Sequence, residues 1–175
     1  MKWVQHFELN ELIKEIKILE NKNKYSKHAV LKHINGPLRL EFLIALILQK
    51  KFPELTILAN YKTDDEGIPT SYAPGGNSDI ICNDGDGTVL FEVTLLTGTI
   101  QNIREMPSIV RHLKDTLINY INSFSVLVCP KIYEDTIEYS KFVKYKDNLD
   151  IIPISISEFI SKVKIFNSIR DFKKN

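Results

Sequence analysis

The 175-residue sequence carries 23 Lys and Arg against 22 Asp and Glu, a formal charge of +1, with 43% apolar and 26% charged residues. These fractions exclude a disordered or fibrous chain, and the length suits one domain that buries about two thirds of its unfolded surface. Near-neutral charge excludes a tail-driven nucleic-acid binder, but not a site that meets DNA through local charge.

Cys82 and Cys129 each lie in an apolar run, which fits buried thiols in a reducing compartment better than a disulfide scaffold, with one bridge left open. The first residues have no apolar signal core. The longest apolar stretch, 42–48, is far short of the ~20 residues of a membrane span. The expected location is the cytoplasm, with no membrane partner.

Apolar residues at Phe7, Leu9, Leu12, Ile13, Ile16 and Leu19 predict an amphipathic helix. A polar loop, 21–27, follows. Gly36-Pro37 opens a second, mostly buried helix over 37–52, whose polar exceptions are Arg39 and Glu41. Residues 56–61 read as a strand and 63–77 as a loop of turn formers. Residues 79–82 and 88–96 read as paired strands around two Asp-Gly steps, a strong hairpin signal.

The next helix is expected over 108–121, with Pro107 in its first turn and Ile118 and Ile121 on its apolar face. A buried strand over 124–129, a helix over 132–143 and a short strand over 151–156 come next. Ser157-Glu158 then opens a terminal helix, and the last six residues form a solvated tail. The order predicts an α/β fold, a mixed central sheet with helices on both faces.

Asp79 and Glu92 sit in apolar strands, where a carboxylate is expensive unless paired or bound to metal. Period-two alternation puts Asp79 on a face with Ile81, and Glu92 with Leu90 and Thr94. The turn makes the strands antiparallel, so both acids can meet at one end of the sheet. Converging hard oxygens suit Mg²⁺. An edge-exposed Glu92 and a turn-proximal Asp79 would suit the spacing equally. Asp64, Asp65 and Glu66 read as a solvated loop. His6, His28 and His33 have no partner at ligand spacing.

Asp79, the hairpin, then Glu92-Val93-Thr94 resembles the PD-(D/E)XK nuclease motif, without its proline (Ser78 stands there) and with Thr94 at the lysine position. The wider string is similar to the AlwI-type restriction endonucleases and their type IIS nicking relatives, a branch that also lacks the lysine. The matching residues are Pro74-Gly75, Asp79, Glu92-Val93-Thr94, Gly98, Gln101, Glu105 and Arg111-His112-Leu113, with Glu41 in the preceding helix. Asp79, Glu92 and Glu105 follow at thirteen-residue steps, and His112 seven later. The match is good over 37–115, with a weaker echo near the end.

The resemblance implies a restriction-endonuclease-like core and a Mg²⁺-dependent phosphodiester hydrolase of type IIS kind. Mn²⁺ would substitute, and Ca²⁺ would bind without activity. Asp79, Glu92, the Val93 carbonyl and Glu105 would bind metal. Glu105 and His112 would manage the water and its proton, and Glu41 would support the site. Each has a plainer reading: Glu41 and Glu105 as helix-start acids, His112 as a satisfied helical histidine. Arg111 suits a phosphate clamp or a solvent-facing position. The expected layout is one cleavage domain over 1–175: a helical extension (1–35), a catalytic core (36–130) and terminal strand-helix elements (131–175).

Sequence readout needs a helix or ribbon with polar side chains at base edges. The nuclease core uses nearly all of this chain. The expected partners are double-stranded DNA and a larger recognition subunit or domain, with a homodimer on DNA as the alternative. A catalytically silent binding module and a structure-specific repair or resolvase nuclease are the rival functions.

Overall fold

A computed structural model of the chain describes residues 2–21, 25–72 and 75–174, so Pro74 and part of the 21–27 loop lie outside the described residues. A five-stranded mixed sheet runs in the order β1-β4-β5-β6-β7. β1 (Thr56–Ala59), β4 (Ile80–Asn83) and β5 (Thr88–Val93) are antiparallel neighbours. β6 (Phe124–Cys129) and β7 (Ile151–Ser155) continue in parallel from β5.

Helices cover both faces, as the crossovers require. On one face α1 (Leu9–Ile18), α2 (Gly36–Lys51) and α5 (Ile156–Ile165) enclose a core with Ile80, Val89, Phe91, Val126 and Val128. On the other, α3 (Thr99–Leu117) and α4 (Glu134–Asp147) enclose Leu90, Leu127 and Ile151 with Met106, Ile109 and Leu113. Alternation along β5 decides this: Val89 and Phe91 point one way, Leu90 the other. Among the described residues no helix is long and apolar enough to cross a membrane. Both cysteines are free and buried.

α2 begins at Asn35, whose side-chain oxygen accepts from the Leu38 amide at 3.1 Å. It then buries Leu38 through Leu48 without interruption, including Arg39 and Glu41. A helix apolar on nearly every side belongs between layers, and α2 lies between α1 and the sheet.

Five expectations need correction. The 63–77 segment is not all loop: β2 (Tyr61–Thr63) and β3 (Pro69–Tyr72) form a second, two-stranded sheet. It is short and mostly exposed, so no apolar alternation announced it. α3 starts nine residues early, at Thr99, entered through Gly98 at φ +68°, a conformation that favours glycine. Pro107 therefore lies inside α3, on its exposed side with Ile103, where solvent can take the carbonyl that proline leaves unbonded. The helix ends at Leu117, leaving Ile118 and Ile121 about 80% exposed rather than packed.

α5 opens at Ser155, not Ser157: the Ser155 side chain accepts from the Glu158 amide, and Glu158 reaches back to the Ser155 amide. The tail is not solvated. A 3₁₀ turn, Ile169–Lys173, buries Ile169 and Phe172, and Phe172 packs on Phe91 and Phe159. Arg170 Nη2 donates to Asp84 Oδ1 at 2.7 Å, pinning the tail to the β4–β5 turn.

Candidate active site

Asp79 immediately precedes β4. The pairing of Ile80 with Phe91 carries on to set Asp79 opposite Glu92, near the end of β5. The Val93 amide donates to Asp79 Oδ2 at 2.8 Å, fixing the carboxylate across the strand pair. Both acids lie on the α3 face, as alternation predicts. Glu92 is 6% exposed, and its Oε1 lies 2.8 Å from His112 Nδ1. His112 is 8% exposed, and its Nε2 is buried without a partner. Glu105, two turns earlier on α3, is half-buried and hydrogen-bonded by Thr94. Glu41 approaches from α2 and is 6% exposed.

The electrostatics tie these five side chains into one cluster. Burial, then the charges of Asp79 and Glu92, push Glu41 up to about 8. Burial, then Glu92, push Asp79 up to about 7, with Glu105 adding to the rise and the Val93 amide and His112 opposing it. Burial raises Glu105 as well, against the Thr94 hydrogen bond and with help from Glu92. Carboxylates that destabilise one another's charged forms make a site in want of positive charge. Among the described residues, no three His, Cys, Asp or Glu side chains form a ready-made metal cage.

Val93 ends β5, its amide spent on Asp79. Arg111 is exposed. The Asp64 carboxylate caps its own turn by accepting from the Glu66 and Ile68 amides, and all three acids of that loop are exposed. His28 Nδ1 accepts from the Val30 amide and the His6 ring packs tilted against Trp3. Gln101, one of the motif residues, does something else. Fully buried, it donates to the Leu96 and Lys131 carbonyls and accepts from the Tyr133 amide and Thr136 hydroxyl.

Two tyrosines escaped the sequence reading. Tyr61 and Tyr72 both have raised pKa values, from burial first and from the Glu41 charge second. The Tyr72 hydroxyl donates to Asn35 Oδ1 at 2.9 Å. Both belong to β2–β3: Tyr61 ends the segment read as one strand, and Tyr72 lies in the segment read as loop. An alternation of aromatic and polar residues in that segment was the signal available, and it is a weak one.

The AlwI restriction endonuclease family profile matches residues 1–161. The chain belongs to the AlwI restriction endonuclease family. It is similar in structure to the small subunit (R.BspD6I2) of the heterodimeric restriction endonuclease R.BspD6I, with a TM-score of 0.75 and 23% identity. The similarity covers 89% of this chain and 76% of that one. It establishes the fold: a mixed sheet flanked by helices, as in a restriction endonuclease small subunit. No curated protein matches.

Proposed function

We propose that this chain is the Mg²⁺-dependent cleavage domain of a cytoplasmic type IIS-like restriction enzyme, cutting one DNA strand per subunit. What carries the reading is the convergence of Glu41, Asp79, Glu92, Glu105 and His112 at one end of the sheet in a member of a restriction endonuclease family. The donor set fits a divalent cation. Its oxygens are hard, and burial and repulsion push Asp79 within it up to about 7 and the neighbouring Glu41 up to about 8, a cost that such an ion would relieve. Mg²⁺ needs only one or two carboxylates, with waters and phosphate completing its shell, so a full protein cage is not required.

Asp79, Glu92, the Val93 carbonyl and Glu105 would hold the ion. Bound there, Mg²⁺ supplies charge stabilisation at the phosphoryl group and lowers the pKa of water. Mn²⁺ substitutes, and Ca²⁺ binds without supporting cleavage. The Glu105 carboxylate, steadied by Thr94, takes the proton from the attacking water. The water oxygen bonds to phosphorus as the bond to the 3′ oxygen breaks, and that oxygen takes a proton from solvent water, leaving 5′-phosphate and 3′-hydroxyl ends. His112 has Nδ1 committed to Glu92, so its Nε2 is the nitrogen free to meet the phosphate or its departing oxygen. Glu41 supports the acids from the α2 side.

Recognition comes from a larger partner. The similar small subunit belongs to a heterodimeric enzyme, and a chain of charge +1 binds bulk DNA weakly. The decisive assay is supercoiled plasmid with Mg²⁺, using the chain alone and with a candidate large subunit. Cleavage should need the partner for specificity and should vanish in Asp79→Asn. Efficient site-specific cutting by the purified chain alone would end the small-subunit reading, and cutting by Asp79→Asn would end the assigned site.

A further inference from the structure

A pocket of about 410 Å³ lies at the amino end of α2, the helix that carries Glu41. Arg39, Lys32, Asn35, Gly36, Leu95 and Glu20 line it. Arg39 is 6% exposed, yet its guanidinium is under-used: Nη1 donates to the Leu31 carbonyl at 3.1 Å, and Nε is buried with no partner. Glu15 is an opposing charge that Arg39 feels without forming an ion pair, and its Oε2 is also buried without a partner. Glu20 is already engaged, accepting from the Ser157 hydroxyl at 2.8 Å. The opening of α2 adds a positive helix end: Asn35 caps the Leu38 amide, leaving the Gly36 amide before Pro37.

Two links join this pocket to the acids. Leu95 follows Thr94, the residue that holds Glu105. Asn35 accepts from Tyr72, whose hydroxyl feels the charges of Glu41 and Asp79. A polyanion brought to four carboxylates needs compensating cations nearby, and a net charge of +1 does not provide them globally. A buried arginine with donors to spare is suited to a phosphate, which it can meet with two parallel bonds.

We infer that this pocket seats a non-scissile phosphate of the DNA backbone, with Arg39 as its buried anchor, Lys32 at its rim and the amino end of α2 behind it. The inference rests on the nuclease reading for its ligand, and it adds a positioning contact that sets where along the strand the acids fall.

The test uses the full chain without metal and reads the Gly36 amide and the Arg39 Nε–H by nitrogen–proton NMR. Inorganic phosphate and a short DNA duplex are titrated separately. Both signals should shift saturably with each probe. Lys32→Ala should weaken both bindings about two- to fivefold, as for a partly exposed charge pair. Arg39→Gln should abolish them with an unchanged fold by circular dichroism. Should Arg39→Gln not fold, Lys32→Ala and a duplex with neutral methylphosphonate linkages still decide, since the neutral linkage at the seated position should silence the shifts.

No shift with either probe, or shifts untouched by Lys32→Ala, would overturn the inference. Shifts with phosphate but not duplex would make this a free-anion site and overturn the DNA assignment. Seating of the duplex here, with no Mg²⁺-dependent cleavage even when the larger subunit is added, would sink the nuclease reading and leave the pocket standing; cleavage with silent spectra would do the reverse.

Discussion

Two buried polar groups sit within a few turns of each other on α3, and they are built on opposite terms. Gln101 is fully buried and satisfied, with both amide protons and the carbonyl oxygen engaged across four partners. It staples the exit of β5 and the exit of β6 to the start of α4. The acid cluster is left unsatisfied: like charges converge, pKa values climb, and His112 keeps an unpartnered nitrogen. A satisfied network specifies structure, whereas an unsatisfied one costs stability and persists where a ligand completes it. Both groups carry motif residues of the same family, so motif membership alone does not separate them. Hydrogen-bond bookkeeping does.

That contrast can be broken first at Asp79. Asp79→Asn should take cleavage below detection, a loss on the order of 10³-fold or more, comparable to losing a main electrostatic contact at a transition state. It should leave the melting temperature of the metal-free chain equal or higher, because it removes a repelled charge. A large loss of stability would put Asp79 in the same class as Gln101. The converse substitution, Gln101→Leu, strands two carbonyls, an amide and a hydroxyl. It should destabilise by about 3 kcal/mol, lowering the melting temperature roughly 6–12 °C for a chain of this size, while cleavage per folded molecule stays near normal.

His112→Ala should cost about 10–100-fold in cleavage or metal affinity, the usual effect of removing a residue that orients a ligand. Calorimetry with Mn²⁺ separates the two. The smallest effect is on pH. Glu41 rises from 4.5 to about 8 on folding and Asp79 from 3.8 to about 7. Between those limits the folded chain binds more protons than the unfolded chain. The stability these groups contribute is therefore complete below about pH 4 and is lost as pH rises through 7 to 8. Asp84, held low by its hydrogen bond to Arg170, acts oppositely but only at more acidic pH. Thermal melts of the metal-free chain should thus fall between pH 5.5 and 8, and Glu41→Gln should flatten the decline. A flat wild-type profile would contradict the cluster's repulsion.

Much of this was legible beforehand. The alternation of β5 placed Glu92 on the α3 face, and the Asp-Gly turn set Asp79 opposite it, because period-two patterning and turn chemistry are local. The corrections share a physical cause, namely interactions that are not local. Pro107 reads as a helix start, but its solvent-facing position lets α3 run through it. Phe172 sits in a charged tail and is buried against Phe159, Phe166 and Phe91, the last on a strand far away in sequence. β2–β3 is too short and too exposed to leave a period. Tyr72, which it brings within the influence of Glu41, was hidden with it.

The most direct test of the acid cluster is a Mn²⁺ titration by isothermal calorimetry on wild type and on Asp79→Asn, at pH 7.5 without DNA. One saturable site in the wild-type chain, lost in the variant and weakened as pH falls toward 6, is the predicted result. Equal heats from both proteins, or none from the wild type, would contradict a divalent cation site at Asp79 and Glu92.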